Sequence, residues 1–250
     1  MTQVKYERVV IKLSGQAMAG ADGFGFSAQA LQHLASQILQ IRKLGVQVAV
    51  VVGGGNVFRG NRSDTWGIDR VEADNIGMLG TVINGLLLRG KLSALGEDNV
   101  RVMTAIPINA VAEPFLRLRA KRHLDKGAIL IFSGGNGQPF ITTDYPSVQR
   151  ALEIGADALL VAKHGVDGVY DADPGTNPDA RRYERLPYDE VVGKGLKVMD
   201  QTAFILARDH GIPLHVFDIE RDGLMAAICQ GEHHGTEINA AVTEAEFAAP

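Results

Sequence analysis

Short, mostly apolar runs rich in β-branched residues alternate along this chain with longer amphipathic stretches. The runs cover residues 8–13, 46–52, 100–105, 128–133, 158–162 and 214–218. They predict strands buried on both faces, because they are apolar almost throughout rather than at every second residue. Strands that alternate with helices predict an α/β fold, a three-layer αβα sandwich whose central sheet is mostly parallel.

The longer stretches predict helices over residues 27–44, 73–95, 113–126, 145–154 and 200–210. Ser27 stands where the N-cap of the first helix is expected. A glycine marks the expected end of each helix, as is typical of helix C-termini; these are Gly45, Gly96, Gly127, Gly155 and Gly211. Residues 171–187 predict an excursion over the surface, and residues 244–250 a frayed tail.

Length and composition narrow the class of protein. With 250 residues, 46% of them hydrophobic, we predict a single domain over residues 1–250 with two functional halves that meet near residue 155. The net charge of −4 argues against a nucleic-acid partner. Cys229, the one cysteine, excludes an internal disulfide framework and predicts a buried apolar residue. Without a signal-like segment or an apolar stretch of roughly 20 residues, we predict a cytoplasmic protein with no membrane partner.

A glycine triplet follows the second predicted strand. Gly53, Gly54 and Gly55 leave backbone N–H groups open to close approach, and Arg59 adds a planar guanidinium just beyond them. Such a loop is suited to an anionic group. A tight turn that holds no ligand is an equally good interpretation of the triplet alone.

Chemistry-bearing residues follow other predicted strands at the same edge of the sheet. Lys12 and Ser14 end the first strand, and Gly135 and Asp144 follow the fourth. Positioned N–H groups, cations and a carboxylate are what phosphoryl transfer needs. Taken singly, Lys12 is also explained as a surface lysine, Asp144 as a helix cap and Arg59 as half of a surface ion pair. The joint position of these residues favours the functional interpretation.

Other motifs are weaker indicators of function. Gly85, Gly90 and Lys91 have the spacing of a phosphate-binding P-loop, but Leu92 replaces the required Ser or Thr and the match lies in a predicted helix. The histidines show no metal-ligand spacing. In the second half, Tyr170 is suited to packing on an adenine and Asp173 to accepting from hydroxyl groups, although spacing alone favours an Asx-rich turn with a core tyrosine.

Ordered motifs nevertheless point to one family. They are KLSG at 12–15, GGGNVFRG at 53–60, DRVEADNIGMLGTVIN at 69–84, PFITTD at 139–144, VDGVYDADP at 166–174 and LKVMD at 196–200. In this order they resemble the bacterial uridylate kinases (UMP kinases) of the amino-acid kinase superfamily, from Arg8 to about Thr236. The resemblance implies the amino-acid kinase fold, with the acceptor half over about 1–155 and the ATP half over about 156–240.

The resemblance also implies an activity and a regulation. The activity is transfer of the γ-phosphoryl group of MgATP to UMP, giving UDP and ADP for pyrimidine nucleotide (CTP/UTP) biosynthesis. Mg²⁺ enters with ATP and has no direct protein ligand. The implied assembly is a homohexamer, activated by GTP and inhibited by UTP.

Roles for individual residues follow from the same resemblance. The catalytic set is Lys12, Arg59, Asp144 and Asp200. The ATP set is Lys12, Leu13, Ser14, Gly15, Gly55, Arg59, His164, Tyr170 and Asp173. The UMP set is Gly54, Asp74, Gly135, Asn136, Gly137, Gln138, Pro139, Phe140, Ile141, Thr142 and Thr143. The GTP-effector loop is Gly20, Ala21, Asp22, Gly23, Phe24 and Gly25.

The chain departs from the family pattern in a few places. Gln16 stands where the family usually has Glu, and Asn136 and Gln138 replace a Thr and an Asn next to the acceptor; Tyr145, Pro146 and Ser147 follow Asp144 where small residues are usual. These departures keep open a kinase of this fold with another acceptor, such as dUMP, CMP, a carboxylate or a carbamate. A protein that binds nucleotide or an oxoanion without turnover is the third hypothesis.

Overall fold

The computed structural model describes residues 4–19, 23–59, 63–196 and 198–249. The strands are β1 (Arg8–Leu13), β2 (Gln47–Val52), β3 (Val100–Thr104), β4 (Glu113–Pro114), β5 (Ile129–Ser133), β6 (Ala158–Lys163), β7 (Tyr183–Leu186), β8 (Leu214–Asp218), β9 (Thr236–Ile238) and β10 (Glu246–Phe247). The helices are α1 (Gln16–Ala19), α2 (Ala28–Lys43), α3 (Ser63–Trp66), α4 (Arg70–Ala94), α5 (Arg117–Asp125), α6 (Asp144–Ile154), α7 (Tyr188–Gly193), α8 (Gln201–His210) and α9 (Leu224–Gln230).

The strands of the described residues form one ten-stranded sheet in the order β10-β7-β9-β8-β6-β1-β2-β5-β3-β4. All neighbours from β8 to β4 pair in parallel, whereas β9 runs antiparallel to β8 and β10 antiparallel to β7. Apolar clusters cover both faces: α2, α4 and α9 pack on one, and α5, α6, α7 and α8 on the other. The predicted α/β fold, with a mostly parallel sheet between helical layers, is confirmed. Its division into acceptor and ATP halves stays a prediction.

Several local predictions hold. Ser27 caps α2, where its Oγ accepts a hydrogen bond from the N–H of Ala30 at 3.2 Å. Gly155 and Gly211 end α6 and α8 with φ of 69° and 65°, a conformation that glycine adopts without strain. Gly85 lies inside α4 against Ser133 and Ile131, so the P-loop-like spacing is helix packing. Cys229 is buried, and burial raises the pKa of its thiol to about 12.

The predicted helix over residues 113–126 is wrong at its start. Glu113 and Pro114 form β4 beside β3, and the helix begins at Arg117. The residue before a proline is biased away from helical backbone, and the N–H of Phe115 instead donates to the carbonyl of Thr104 at 2.9 Å.

The prediction of a frayed tail over 244–250 is also wrong for residues 244–249, which the structure describes, and the prediction of a surface excursion over 171–187 is wrong in part. Strand β7 lies within the predicted surface excursion, and β10 pairs with it. The ring of Phe247 stacks on that of Tyr183, with centroids 4.5 Å apart. Both strands are too short to show an apolar pattern in the sequence. Each is stabilised by a partner that is distant in the sequence.

No helix of the described residues is long and apolar enough to cross a membrane.

Candidate active site

The carboxyl ends of β1, β2, β5 and β6 meet at one edge of the sheet, because these strands are parallel neighbours. Lys12 on β1 pairs in register with Val51 on β2 and Val161 on β6. A cavity of about 420 Å³ opens at this edge. It is lined by Lys12, Ser14, Gly15, Gln16, Gly53, Gly54, Gly55, Phe58, Arg59, Arg70, Asp74, Gly77, Met78, Thr81, Gly135, Gln138, Ile141, Thr142, Thr143 and Asp144.

A charged cluster forms the floor of the cavity. Lys12 Nζ lies 2.6 Å from Asp144 Oδ1, and the two side chains are only 9% and 14% exposed. Asp144 Oδ2 accepts a hydrogen bond from the backbone N–H of Asp200 at 3.0 Å, and the hydroxyl of Thr142 donates to Asp200 Oδ2. The predicted residues Lys12, Asp144 and Asp200 are thus brought together from three separate segments.

Lys163, the last residue of β6, joins this cluster, although the sequence analysis gave it no role. Its Nζ donates to the carbonyl of Val198. Burial lowers the pKa of Lys163, the charge of Lys12 lowers it further, and the carboxylates of Asp144 and Asp200 oppose this shift. The available signal was positional: a lysine at the carboxyl end of β6, the neighbour of β1.

The glycine loop packs backbone against backbone. A Cβ on Gly54 would collide with the carbonyl of Gly77 and lie 3.1 Å from the N–H nitrogen of Thr81, so α4 crosses directly over the loop. A Cβ on Gly15 would lie 2.8 Å from the backbone nitrogens of Gly55 and Asn56. These positions require glycine for close approach rather than for a positive φ.

A buried amide pair fixes the loop. Asn84 Nδ2 donates to the carbonyl of Gly53 at 2.6 Å and to Asn56 Oδ1 at 2.7 Å, and Asn56 Nδ2 donates back to Asn84 Oδ1 at 3.1 Å. Both side chains are fully buried. Sequence reasoning quoted both asparagines in motifs but gave them no role. Arg59 Nε donates to the carbonyl of Gly55 at 3.1 Å, which leaves the exposed guanidinium beside the cavity.

Asp74 forms the opposite wall of the cavity. Arg70 Nε lies 3.0 Å from each of its carboxylate oxygens, and the N–H of Phe140 donates to Asp74 Oδ2 at 2.8 Å. Phe140 has a φ of 64°, which is rare outside glycine, so this contact holds a strained backbone. Asp74 therefore joins α4 to the β5–α6 loop. Arg70 was missed by the sequence analysis.

The other members of the predicted acceptor set divide into two groups. Gly135, Gln138, Ile141, Thr142 and Thr143 line the cavity, whereas Asn136, Gly137, Pro139 and Phe140 are not part of its lining. Asn136 instead orders the loop, because its Oδ1 accepts from the N–H of Gln138 at 3.1 Å. Leu13 is fully buried in β1 and does not reach the cavity.

The predicted adenosine residues lie outside this cavity. His164 lines a neighbouring cavity of about 410 Å³ and lies 3.5 Å from Glu220. The hydroxyl of Tyr170 donates to Asp167 Oδ1 at 2.6 Å, and Asp173 Oδ1 accepts from the N–H of Gly175 at 2.9 Å. Asp173 thus orders its own loop.

In the predicted effector loop, Gly20, Ala21 and Asp22 lie outside the described residues. Gly25 is tied to the glycine loop, since its N–H donates to the carbonyl of Asn56 and its own carbonyl accepts from Asn56 Nδ2, both at 2.8 Å. Phe24 is 68% exposed. Among the described residues, no group of three or more His, Cys, Asp or Glu side chains is arranged to hold a metal ion.

Comparisons with known proteins agree on one relationship. The Amino acid kinase family matches residues 7–218. A uridylate kinase of Frankia alni is 71% identical over 94% of this chain and 92% of its own length, and one of Frankia casuarinae is 67% identical over 97% and 93%. The crystal structure of a UMP kinase from Bacillus anthracis, 56% identical, matches with a TM-score of 0.94 over 98% of this chain and 99% of that one. A UMP kinase from Ureaplasma parvum, 35% identical, matches with a TM-score of 0.87 over 94% of this chain and 99% of its own.

Proposed function

The chain belongs to the amino acid kinase family, and within it to the uridylate kinases, and on that premise we propose that it transfers the γ-phosphoryl group of MgATP to UMP. It is a nucleoside monophosphate kinase. To this class of enzyme the proposal adds the identity of the phosphoryl donor and of the acceptor, and the roles of individual residues. The observation that carries it is the Lys12–Asp144 pair in a cavity that is also lined by a glycine loop and Asp74, with Asp200 and Lys163 next to that pair.

The chemistry needs no covalent nucleophile on the protein. An oxygen of the UMP phosphate attacks the γ-phosphorus, and the bond from that phosphorus to the β,γ-bridging oxygen breaks, so that ADP leaves. The acceptor oxygen is already ionised at neutral pH, so no general base is required. The demand on the enzyme is to bring two anions together and to stabilise the charge that spreads over the transferring group.

The cations at the floor of the cavity suit that demand. Lys12 is held by Asp144 at 2.6 Å, so its ammonium is positioned before the substrates arrive. Lys163 adds a second ammonium from β6, and Arg59 a guanidinium from the glycine loop. Asp144 fixes Lys12 and is itself held by the backbone N–H of Asp200, and Mg²⁺ would enter with ATP and neutralise its phosphates.

The acceptor is assigned to the Asp74 side of the cavity. The carboxylate of Asp74 is suited to accepting from ribose hydroxyls, with Gly54 at the phosphate and Gly135, Gln138, Thr142 and Thr143 toward the base. In this structure Arg70 Nε donates to both carboxylate oxygens of Asp74. When UMP binds, ribose hydroxyls would replace Arg70 as the donors to Asp74. We assign His164, Tyr170 and Asp173 to the adenosine of ATP on the resemblance alone.

The proposal extends to regulation and assembly. Activation by GTP through residues 20–25 is supported by the hydrogen bonds between Gly25 and Asn56, which link that loop to the glycine loop. Inhibition by UTP, a role in pyrimidine nucleotide biosynthesis and a cytoplasmic location rest on the resemblance.

Self-association into a homohexamer is supported by a stripe of exposed apolar residues on α4, formed by Ile76, Leu79, Ile83 and Leu87. A second copy of the chain would bury this stripe. A molar mass of one chain measured by light scattering in solution would contradict the assembly.

An acceptor panel tests the activity. The purified protein is incubated with MgATP and UMP, dUMP or CMP, with and without GTP, and product is measured. We expect UDP from UMP as the preferred reaction, and no UDP at any concentration would refute the proposal. Gln138 lines the cavity and supports the alternative of another acceptor. A preference for dUMP or CMP in this panel, or for a carboxylate or carbamate added to it, would establish that alternative.

A further inference from the structure

The C-terminal tail, residues 241–249, is built into the sheet at the ATP half of the chain. Phe247 on β10 pairs antiparallel with Tyr183 on β7, and the N–H of Ala248 donates to the carbonyl of Arg182 at 2.9 Å. The ring of Phe247 lies between the ring of Tyr183, with centroids 4.5 Å apart, and the guanidinium of Arg181, 3.9 Å from its centroid.

Residues 181–183, which pair with the tail, contact the segment of Tyr170 along their other edge. The N–H of Tyr183 donates to the carbonyl of Val169 at 2.8 Å, and Tyr170 forms an antiparallel bridge with Arg182. The N–H of Asp171 donates to the carbonyl of Arg181 at 3.1 Å. Residues 181–183 are therefore the middle of three neighbouring segments, with Tyr170 on one side and Phe247 on the other.

The loop between these segments has little support of its own. Residues 171–179 are mostly exposed, and Asp173 stabilises them through local hydrogen bonds to Gly175, Thr176 and Asn177. One edge of β7 pairs with β9 at Arg185 and Leu186, and the tail pairs with its other edge. A strand that adds an aromatic contact at an edge stabilises the segment it pairs with.

We propose that Phe247 is a positioning residue for the donor nucleotide: it holds residues 181–183, and through them Tyr170 and Asp173, in the conformation that binds ATP. This rests on the proposed function, which assigns Tyr170 and Asp173 to the adenosine. The acceptor wall is remote from the tail, because β9, β8, β6 and β1 lie between β7 and β2 in the sheet. The tail therefore acts on the affinity for ATP and not on that for UMP.

The test is steady-state kinetics of the full-length enzyme with each substrate varied in turn. For Phe247→Ala we expect the KM for ATP to rise about three- to tenfold, the fold-change that corresponds to loss of one aromatic pair. The KM for UMP should stay unchanged. Phe247→Tyr keeps the ring and should restore the KM for ATP, and Glu244→Ala, an exposed tail position, is the matched control.

A parallel rise of both KM values, or no rise in that for ATP, would overturn the proposal. If wild type forms no UDP, the proposed function fails, and the positioning role is then read from binding of a non-hydrolysable ATP analogue to wild type and Phe247→Ala. Hydrogen–deuterium exchange gives a second measurement on the milder Phe247→Leu variant, should the alanine variant not fold. Faster exchange in residues 169–183 is expected, and unchanged exchange there would contradict the proposal.

Discussion

Lys12 and Asp144 form an ion pair of 2.6 Å between two side chains that are almost completely shielded from water. They come from the end of β1 and the first turn of α6, and they meet because β1 ends and α6 begins at the carboxyl edge of one parallel sheet. Shielding a lysine from water is costly unless the charge is paired, as Lys12 is here. A shielded ion pair that lines a cavity is typical of a site that binds other charged groups.

Lys12→Ala should lower the turnover number by about 10²–10³, in line with the loss of one positioned electrostatic contact. The KM for UMP should change little, because the ammonium acts on the transferring group. Lys43→Ala, on the exposed end of α2, is the control. A turnover number equal to that of wild type would remove Lys12 from the mechanism.

Lys163→Met should likewise lower turnover, by about 10- to 100-fold, because it removes a second ammonium near the reacting phosphates. Lys163→Arg keeps the charge and should recover part of the activity. The measurement is the turnover number at saturating ATP and UMP. Wild-type turnover in the methionine variant would show that Lys163 only supports the fold through its contact with Val198.

Asp74→Asn should mainly raise the KM for UMP, because a neutral amide accepts hydroxyl hydrogen bonds less well than a carboxylate. The variant also loses the charge that holds Arg70. Glu72→Gln, an exposed carboxylate two residues away on α4, controls for the change of charge. An effect confined to the KM for ATP would count against placing the acceptor beside Asp74.

Two glycines of the same region should respond oppositely to alanine. Gly54→Ala places a methyl group against the backbone of α4 and should lower the free energy of unfolding by about 1–3 kcal/mol. Gly90→Ala on α4 meets open space and should raise it by about 0.5–1 kcal/mol, since alanine favours the helix. Urea denaturation measures both. Equal effects would contradict the close approach at Gly54.

His215 should make the protein sensitive to mild acid. Burial lowers its pKa to about 4 despite the neighbouring carboxylate of Glu237, and its Nε2 lies 2.8 Å from the hydroxyl of Tyr6. The ordinary value of 6.5 applies to the unfolded chain. Between these values only the unfolded chain binds the proton, so the free energy of unfolding should fall with falling pH by up to about 1.4 kcal/mol per unit.

Denaturation of wild type and His215→Gln between pH 7 and pH 5 tests this expectation. The glutamine variant keeps a hydrogen-bonding group opposite Tyr6. Its free energy of unfolding should depend less steeply on pH, because the proton uptake of His215 is removed. Burial opposes ionisation of Glu237, but its hydrogen bond with Asn239 and the charge of Lys5 outweigh this effect and lower its pKa; its contribution is lost only below the ordinary value of 4.5. An identical slope in both proteins would contradict the assignment to His215.

Local pattern determined the framework of this protein. Apolar runs placed the six strands that position the site, glycines marked where α6 and α8 end, and Ser27 marked where α2 begins, because each of these signals depends on residues close in sequence. The parallel direction of these strands then followed from general rules of chain crossing, and it placed Lys12, Gly54 and Asp144 at one edge.

Long-range packing decided the rest. The strands β7, β9 and β10 are too short to carry a pattern, and Phe247 joins the sheet by pairing with Tyr183 and stacking on its ring. Lys163 became a site residue through the neighbours that its strand brings to it, and Arg70 through its contact with Asp74. A contact between distant segments depends on the free energy of the whole packed arrangement. That free energy cannot be inferred from a local stretch of sequence.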